Sequence, residues 1–314
     1  MSTKTRAVTK QKSTPLKEQP LTRKARGPGL KKSGPRIFAP TAVSASPIIT
    51  LLTDFGNADY FVGAVKGAIL TINPAARIVD ITHEIPAHDV EQAAFTLLAA
   101  CASFPPGTIH VGVVDPGVGS ARRSILVRSR QQYFVGPDNG IFSYVCELSG
   151  DNPEVFHLNK EVYFRQPVSQ TFNGRDVFAP VAGSLSTGLK PEQLGTRVAD
   201  YIHLPSITPE VSPGGEINGR IINIDRFGNC VTNITQAELP SAMIAAGARL
   251  KIRGQVVKSF RKFFAEDTGS RDQLFGIWGS AGFLEIAAAN KSAARILKAK
   301  RGDMVVASAK NLRM

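Results

Sequence analysis

The chain has 314 residues, enough for two domains, and its hydrophobic content of 43% is ordinary for a globular protein. No apolar run approaches the ~20 residues that a membrane-spanning helix needs, so we predict no membrane protein. The cysteines Cys101, Cys146 and Cys230 are isolated and lack C-x-x-C spacing. We therefore expect reduced thiols, a cytoplasmic location and no cysteine-based metal site.

The basic charge is concentrated at the N-terminus. Residues 1–46 hold eleven Lys and Arg against one acid, which leaves only +3 of the total of +13 on the remaining residues. This segment is rich in Pro, Ser, Thr and Gly and has almost no apolar periodicity, which predicts a disordered basic tail. It could be a solvated tail, an organelle transit peptide or a tether to nucleic acid or an anionic surface. It has no apolar core of a secretory signal.

Residues 47–202 alternate between strand and helix patterns. Buried strands are predicted for "PIITLLT", "RIVDI" and "TIHVGVV", with the helices "DYFVGAVKGAILTIN" and "HDVEQAAFTLLAACASF" between them. The strands "SILVRS" and "QYFVGP" follow, and then the helix "RDVFAPVAGSLSTG", which ends at Gly188. Alternating strands and helices imply parallel crossovers, so the fold class predicted here is a three-layer α/β domain that binds the ligand.

A change in composition and in the strand and helix pattern after residue 202 predicts a second domain. Residues 203–219 are dense in Pro and Gly and are interpreted as a linker. Residues 220–314 contain short strand patterns, including "GRIINID", "CVTNI", "QVVKSFRKF" and "GFLEIAA", and one clear helix, "NKSAARILKAK". This pattern favours a smaller β-barrel-like C-terminal domain.

Two acidic loops follow predicted strands, where open α/β sheets bind their ligands. They are "TDFGNAD" and "DPGVGSARR", and neither is a dinucleotide fingerprint or a phosphate loop. Asp115 at the start of the second loop would repel a phosphate. Asp54 in the first loop either accepts hydrogen bonds from ribose hydroxyls or caps the following helix.

Seven stretches, taken in chain order, carry a resemblance to a known family: "ITLLTDFGNADYFVGAVKGAIL", "INPAARIVDITHEIPAHDVEQAAF", "GTIHVGVVDPGVGSARRSILV", "VGPDNGIFS", "TFNGRDVFAPVAGSL", "IDRFGNCVTNI" and "GSAGFLEIAAANKSAARIL". Together they resemble the S-adenosyl-L-methionine (SAM) hydroxide adenosyltransferase family, which is related to the SAM-dependent fluorinase and chlorinase. The resemblance covers residues 48–308. It implies a homotrimer that binds SAM, as substrate and without a cofactor, between the N-terminal domain of one subunit and the C-terminal domain of the next.

The resemblance also assigns residues to the ribose and methionine parts of SAM. Asp54 binds the ribose hydroxyls, and Asp59 lies near the methionine end. Asp225 in "IDRFGN" takes the methionine amino group, while Ser280 in "GSAGF" contacts the carboxylate. A strand-end hydroxyl without a ligand is the alternative interpretation of Ser280.

The adenine site is assigned in the same way. Phe227 packs on the adenine and Asn229 hydrogen-bonds its edge. The alternatives are that Phe227 is an ordinary core residue and that Asn229 is a turn residue. Backbone groups of Ala288 and Ala289 complete the slot. Ala289 stands where the family commonly has Asn, which matters little if only the backbone is used there.

The family reaction is attack of water or hydroxide on the ribose C5′ of SAM, which releases methionine and forms adenosine. The sulfonium is already a good leaving group, so the difficulty lies in the nucleophile, since bulk water is a very weak acid and hydroxide is scarce near neutral pH. The resemblance places an Asp, an Arg and a His around that water. Asp115 and Arg122 match the first two, and they would orient the water and stabilise developing hydroxide.

The third member departs from the family pattern. Asn173 in "TFNGRD" replaces the usual His, and an amide can orient a water but cannot take up a proton. The sequence therefore predicts a metal-independent SAM hydrolase that is slow. His83 and His88 have no metal-ligand spacing and are interpreted as structural.

Three alternatives stay open at the level of the sequence. Gly174 occupies the position where the halogenating relatives contact halide, so a halide-dependent SAM adenosyltransferase is the nearest rival chemistry. Asn173 is also compatible with a SAM-binding or SAM-sensing protein that does not hydrolyse SAM. Nucleic-acid binding would depend on residues 1–46, because the remaining chain has no basic stripe with interleaved aromatics. The same tail leaves organelle targeting as the alternative to the cytoplasm.

Overall fold

The computed structural model describes residues 46–266 and 273–309. The predicted disordered tail lies outside the described residues except for Ser46, so it stays a prediction. Within the described ranges, no helix combines the length and the apolar character needed to cross a bilayer.

The first sheet is mixed rather than wholly parallel. Within residues 46–266 it contains β1 (Ile48–Thr53), β2 (Arg77–Thr82), β3 (Ile109–Val113), β4 (Ser124–Ser129), β5 (Gln132–Pro137), β6 (Glu154–Leu158) and β7 (Gly195–Val198). The spatial order is β2-β1-β3-β5-β4-β6-β7. The pairs β2–β1, β1–β3 and β3–β5 are parallel. The pairs β5–β4, β4–β6 and β6–β7 are antiparallel.

A tight hairpin makes β4 and β5 antiparallel. Ser129 of β4 pairs with Gln132 of β5, and the two residues between them, Arg130 and Gln131, both have positive φ, 54° and 59°. Two left-handed residues in a two-residue loop match the twist of antiparallel strands. The sequence lacks the Asn-Gly signal of such a turn, so the hairpin was not predictable from its residues.

Helices cover both faces of the first sheet, which confirms the three-layer α/β architecture. The helical elements of this part are α1 (Phe61–Ile72), α2 (Val90–Cys101), α3 (Ser143–Glu147), a 3₁₀ turn (Glu161–Tyr163), a π-helical turn (Gly174–Phe178), α4 (Ala179–Ser186) and α5 (Pro191–Leu194). α1 and α4 pack on one face, against Leu51 and Val135. α2 and α3 pack on the other, against Leu52 and Phe134. Adjacent strand residues point to opposite faces, so both sides of each strand are buried.

The second sheet is nearly closed, which confirms the β-barrel-like prediction. Within the described part of the chain its strands are β8 (Glu210–Val211), β9 (Ile217–Ile224), β10 (Cys230–Thr235), β11 (Arg249–Ile252), β12 (Gln255–Val257), β13 (Ser259–Arg261), β14 (Leu274–Trp278), β15 (Phe283–Ala288) and β16 (Met304–Ser308). The order is β12-β11-β16-β9-β10-β15-β14-β13, and β8 pairs with β9. Two short helices accompany it, α6 (Ser241–Ala245) and α7 (Ala293–Leu297).

Element boundaries in the second half differ from the sequence-based expectations. The segment 203–219 includes β8 and the start of β9, so it is not wholly irregular. The predicted strand "QVVKSFRKF" divides at Lys258 into β12 and β13, which pair with different neighbours. The predicted helix near Ser292 is short, because Lys298 takes a left-handed φ of 51° and ends it.

One of the apolar clusters includes residues of both sheets. Ile222 of β9, Val231 of β10 and Phe283 of β15 pack with residues of α2, and the Phe95 and Phe283 rings are 5.8 Å apart between centroids. This shared core fixes the second sheet against the helix layer of the first.

Candidate functional site

A cavity of about 320 Å³ lies at the carboxyl ends of β1 and β3. We call it the acidic pocket; it is lined by Asp54, Phe55, Phe61, Ala87, His88, Val113, Asp115, Val118, Thr171, Phe172, Asn173 and Gly174. Asp54 follows β1 directly, and Asp115 follows β3 after one residue. The π-helical turn brings Asn173 and Gly174 to the same place, so segments far apart in the sequence meet at the edge of the sheet.

Three polar side chains form a connected network at this pocket. The guanidinium of Arg122 binds the Asp115 carboxylate at two points: Nε donates to Oδ1 at 2.8 Å, and a terminal nitrogen donates to Oδ2. The same terminal nitrogen also donates to Oδ1 of Asn173 at 2.7 Å. The structure thus brings together the three residues predicted to handle water.

The network is buried and held by further contacts. The side chains of Asp115 and Arg122 are only 6% and 10% exposed. The guanidinium also donates to the Arg123 carbonyl at 3.2 Å and lies 5.5 Å from the centre of the Phe178 ring. Two charge-assisted hydrogen bonds shielded from solvent fix the geometry of this pair before any ligand arrives.

Asn173 uses both ends of its amide. Oδ1 accepts from Arg122, and Nδ2 donates to the carbonyl of Ser169 at 3.2 Å. The side chain is therefore oriented, and its oxygen faces the guanidinium. It holds the arginine in place but offers no group that can accept a proton.

Asp54 does not cap a helix, which removes the structural alternative for this residue. The residue before α1 is Tyr60, and no side chain hydrogen-bonds to the helix start. The Oδ2 atom of Asp54 instead accepts from the backbone N–H of His88 at 2.9 Å, and both residues line the acidic pocket. The carboxylate faces the pocket, where ligand hydroxyls can reach it.

Three aromatic rings, those of Phe55, Phe61 and Phe172, also line the acidic pocket. Phe172 lies 5.9 Å from Phe55 and 5.2 Å from Phe61 between ring centroids, both in edge-to-face arrangements. We did not predict these rings as site residues. The Phe in each of the motifs "TDFG" and "TFNG" was the available signal.

A second cavity, of about 780 Å³, lies in the C-terminal half. We call it the aromatic pocket; its lining residues are Phe227, Asn229, Arg261, Phe264, Ala265, Ala288, Ala289, Asn290, Lys291, Ser292 and Arg295. Phe227 is 79% exposed, so it is not an ordinary core residue. The structure brings together all four residues that were assigned to adenine.

The turn "DRFGN" is closed by the carboxylate of Asp225. Its Oδ1 accepts from the backbone N–H groups of Phe227, at 2.9 Å, and Asn229, at 2.8 Å, while Oδ2 accepts from Asn229 Nδ2 at 2.9 Å. Burial raises the pKa of the nearby Glu285, and the negative charge of Asp225 acts in the same direction.

Four predicted residues line neither pocket. Arg122 and Asp225 hydrogen-bond to lining residues, whereas Asp59 and Ser280 lie apart from both pockets. Asp59 is exposed in the bend before α1 and does not line the acidic pocket. Ser280 is exposed in the turn before β15 and lines a different cavity, with Thr235 and Phe283. The acidic and aromatic pockets share no lining residue among the described parts of the chain.

The histidines of "THEIPAHD" have different surroundings. His83 is buried, and its Nδ1 lies 2.9 Å from Thr53 Oγ1. His88 was predicted to be structural, yet it lines the acidic pocket. Between residues 46 and 266 and between 273 and 309, no group of three or more His, Cys, Asp or Glu side chains is arranged to hold a metal ion.

Comparisons with known proteins agree with this organisation. Residues 49–195 match the family model of the SAM hydroxide adenosyltransferase N-terminal domain, and residues 219–306 match that of the C-terminal domain. The chain is 37% identical to a (R)-S-adenosyl-L-methionine hydrolase of Methanocaldococcus jannaschii over 262 residues, which cover 80% of this chain and 91% of the relative. A Thermus thermophilus protein of the same name is 36% identical, with 81% and 96% covered.

Structural and more distant similarity point the same way. The crystal structure of an uncharacterized conserved protein from Thermotoga maritima has a TM-score of 0.76 and 37% identity, and the match covers 82% of this chain and 99% of that one. A fluorinase of an Actinoplanes species is 28% identical over 67% of this chain and 78% of its own length.

Proposed function

Because the chain belongs to the SAM hydroxide adenosyltransferase family, we propose that it hydrolyses SAM to adenosine and L-methionine. The oxygen of a water molecule forms a bond to the ribose C5′, the C5′–S bond breaks with its electron pair going to sulfur, and one proton is released. The observation that carries the proposal is that Asp54, Asp115 and Asn173 line one pocket, and that Arg122 binds both Asp115 and Asn173. The sulfonium leaves without protonation, so the step needs no metal and no acid.

The carboxylate of Asp115 orients the water and accepts its proton as the C–O bond forms. Both of its oxygens bind Arg122, so the carboxylate is held in a fixed orientation before the reaction starts. The positive charge of Arg122 stabilises the hydroxide character that develops on the water, an effect strengthened by the low exposure of the pair. In-line positioning at about 3 to 3.5 Å supplies several kcal/mol more.

Asn173 makes the reaction slow in this protein. Its amide orients Arg122 and accepts no proton, and a positioned general base contributes about 10²- to 10⁴-fold to a rate. If the rate is very low, the protein would bind SAM tightly and hydrolyse it only rarely, as a SAM sensor would.

The substrate spans two copies of the chain. Asp54 binds the ribose hydroxyls in the acidic pocket, while Phe227 and Asn229 hold the adenine in the aromatic pocket. The two pockets share no lining residue, and an exposed aromatic over a large pocket is typical of a binding surface. A homotrimer with one site at each subunit boundary accounts for both features. Asp225 and Ser280 take the methionine end, with Asp59 near it.

The direct test is incubation of the purified protein with SAM, followed by HPLC for adenosine. We expect adenosine above a heat-killed control, and its absence would refute the hydrolase proposal. Asn173→His should raise kcat about tenfold or more, because the unprotonated nitrogen of a neutral imidazole can take up a proton, which an amide cannot do. The gain should appear above about pH 6.5, where an ordinary imidazole is neutral. Asn159→His, at an exposed asparagine, is the matched control.

Halide transfer is the second candidate, and Gly174 is the observation that favours it. A Cβ atom at Gly174 would lie 3.5 Å from the Phe55 ring and 3.6 Å from Phe172 and Val113, so this position is surrounded by apolar atoms. The negative charge of Asp115 opposes a halide there. Incubation with SAM and chloride separates the two chemistries, since only halide transfer yields 5′-chloro-5′-deoxyadenosine.

The cytoplasm is the compartment that suits these residues best. Cys101, Cys146 and Cys230 are free and buried, as expected of a protein kept under reducing conditions. Fractionation of cells that produce the full chain and a chain lacking residues 1–46 would test whether the basic segment directs the protein elsewhere.

A further inference from the structure

We propose that Arg301, which lies outside the acidic pocket, is a positioning residue for Asp54 and thereby for the binding of the ribose hydroxyls. The inference rests on the proposed function for the identity of the ligand. The connecting element is the segment 82–89, "THEIPAHD", whose histidines have no part in the proposed water chemistry.

The segment 82–89 is hydrogen-bonded along the loop that carries Asp54. The carbonyl of His83 accepts from the backbone N–H of Gly56 at 2.8 Å, and its ring Nδ1 lies 2.9 Å from Thr53 Oγ1. At the other end, the N–H of His88 donates to Oδ2 of Asp54 at 2.9 Å. The orientation of the Asp54 carboxylate therefore depends on where the backbone of His88 lies.

The backbone of His88 needs support from its neighbours. Its φ is +67°, in the left-handed region that a non-glycine residue occupies only when its surroundings enforce it. The next residue, Asp89, is the N-cap of α2, and its Oδ1 accepts from the N–H of Gln92 at 3.0 Å. Asp89 thus fixes the point where the segment joins a helix.

Arg301 holds this junction from the second sheet. It lies in the turn before β16, and one of its terminal nitrogens donates to Oδ2 of Asp89 and, at 3.1 Å, to Oε1 of Gln92. The other terminal nitrogen donates to Glu91 at 3.2 Å. The side chains of Arg301 and Asp89 are each 25% exposed, so this is a half-buried network rather than a surface pair.

The chain of contacts runs from Arg301 through Asp89 and the backbone of His88 to the Asp54 carboxylate. Arg301 itself is not among the residues that line the acidic pocket. Loss of the guanidinium would release the start of α2, let His88 relax toward ordinary φ values and turn its N–H away from Asp54. The consequence would be confined to ligands that use Asp54.

The experiment compares binding of adenosine and 2′,3′-dideoxyadenosine to the full chain by calorimetry. We expect wild type to prefer adenosine, and Arg301→Met to reduce that preference by roughly 3- to 30-fold, the range for mutations that act through intervening contacts. Asp54→Asn should abolish the preference. Asp89→Asn should act like Arg301→Met while still capping the helix, and Arg301→Lys should restore part of the effect. Arg253→Met, which removes an ion pair with Asp303 in the same sheet, is the control.

Amide hydrogen exchange of the apo protein supplies a second measurement that needs no ligand. Arg301→Met should speed exchange at the His88 amide and leave β9 unchanged. If wild type prefers adenosine and Arg301→Met keeps both that preference and slow exchange at His88, the inference is wrong, even if the melting temperature falls. If wild type binds neither nucleoside, the SAM-to-adenosine assay decides the proposed function separately, and exchange at His88 decides whether Arg301 holds the segment.

Discussion

The acidic and aromatic pockets differ in how far one chain completes them. In the acidic pocket, Asp115 and Arg122 are almost entirely buried and bind each other at two points. In the aromatic pocket, Phe227 projects from a tight turn with 79% of its surface exposed. The charged groups at the acidic pocket are thus buried and paired within one chain, whereas the main ring of the aromatic pocket is open to solvent.

This difference follows from what each pocket has to do. Charges that stabilise a transition state must be positioned before the reaction, and burial by the same chain secures that. A flat aromatic surface needs only a partner on its other side, which the ligand and a neighbouring subunit can supply. Substitutions of Asp115 or Arg122 should therefore affect kcat, and those in the aromatic pocket should affect KM.

The largest effect is expected for Asp115→Asn. The variant keeps the shape of the side chain but leaves Arg122 without its carboxylate and the water without a proton acceptor, so kcat should fall about 10²- to 10⁴-fold. Adenosine formation at saturating SAM is the measurement. Asp200→Asn, at a carboxylate that is 85% exposed, is the control and should retain full activity. Equal rates for the two variants would contradict the role of Asp115.

A smaller effect, on KM, is expected for Phe227→Ala. Stacking of a base on an aromatic side chain is worth about 1 to 3 kcal/mol, which corresponds to a rise of about 5- to 150-fold in KM for SAM. The melting temperature should stay constant because the ring is largely exposed. Phe263→Ala, an exposed ring that does not line the aromatic pocket, provides the comparison. A fall in kcat with unchanged KM would break the distinction between the two pockets.

The smallest effect is expected from mixing these two variants. If each site joins the acidic pocket of one subunit to the aromatic pocket of the next, co-production of Asp115→Asn and Phe227→Ala chains restores about one quarter of the sites by random assembly. Activity is measured at SAM concentrations below the KM of Phe227→Ala. Activity no higher than the sum of the two separate variants would place the whole site within one chain.

Local features of the fold were predictable because their causes are local. The loop after β1 and the turn "DRFGN" carry their chemistry within a few residues, and the contacts of Asp225 with Phe227 and Asn229 span no more than four positions. The hairpin at Arg130 and Gln131 was missed, since neither residue is a usual left-handed turn former. The roles assigned to the substrate-binding residues stay predictions until binding is measured.

The amino-acid order alone was enough for the family, the alternation of strands and helices, and the two acidic loops, because hydrophobic period and turn residues act over short distances. Only tertiary packing decided that Arg122 joins Asp115 to Asn173, 51 residues from the arginine, and that Arg301 reaches Asp89 across 212 residues. Contacts of that separation depend on how the sheets and helices stack. Hydrophobic burial drives that stacking without specifying which polar side chains meet at its edges.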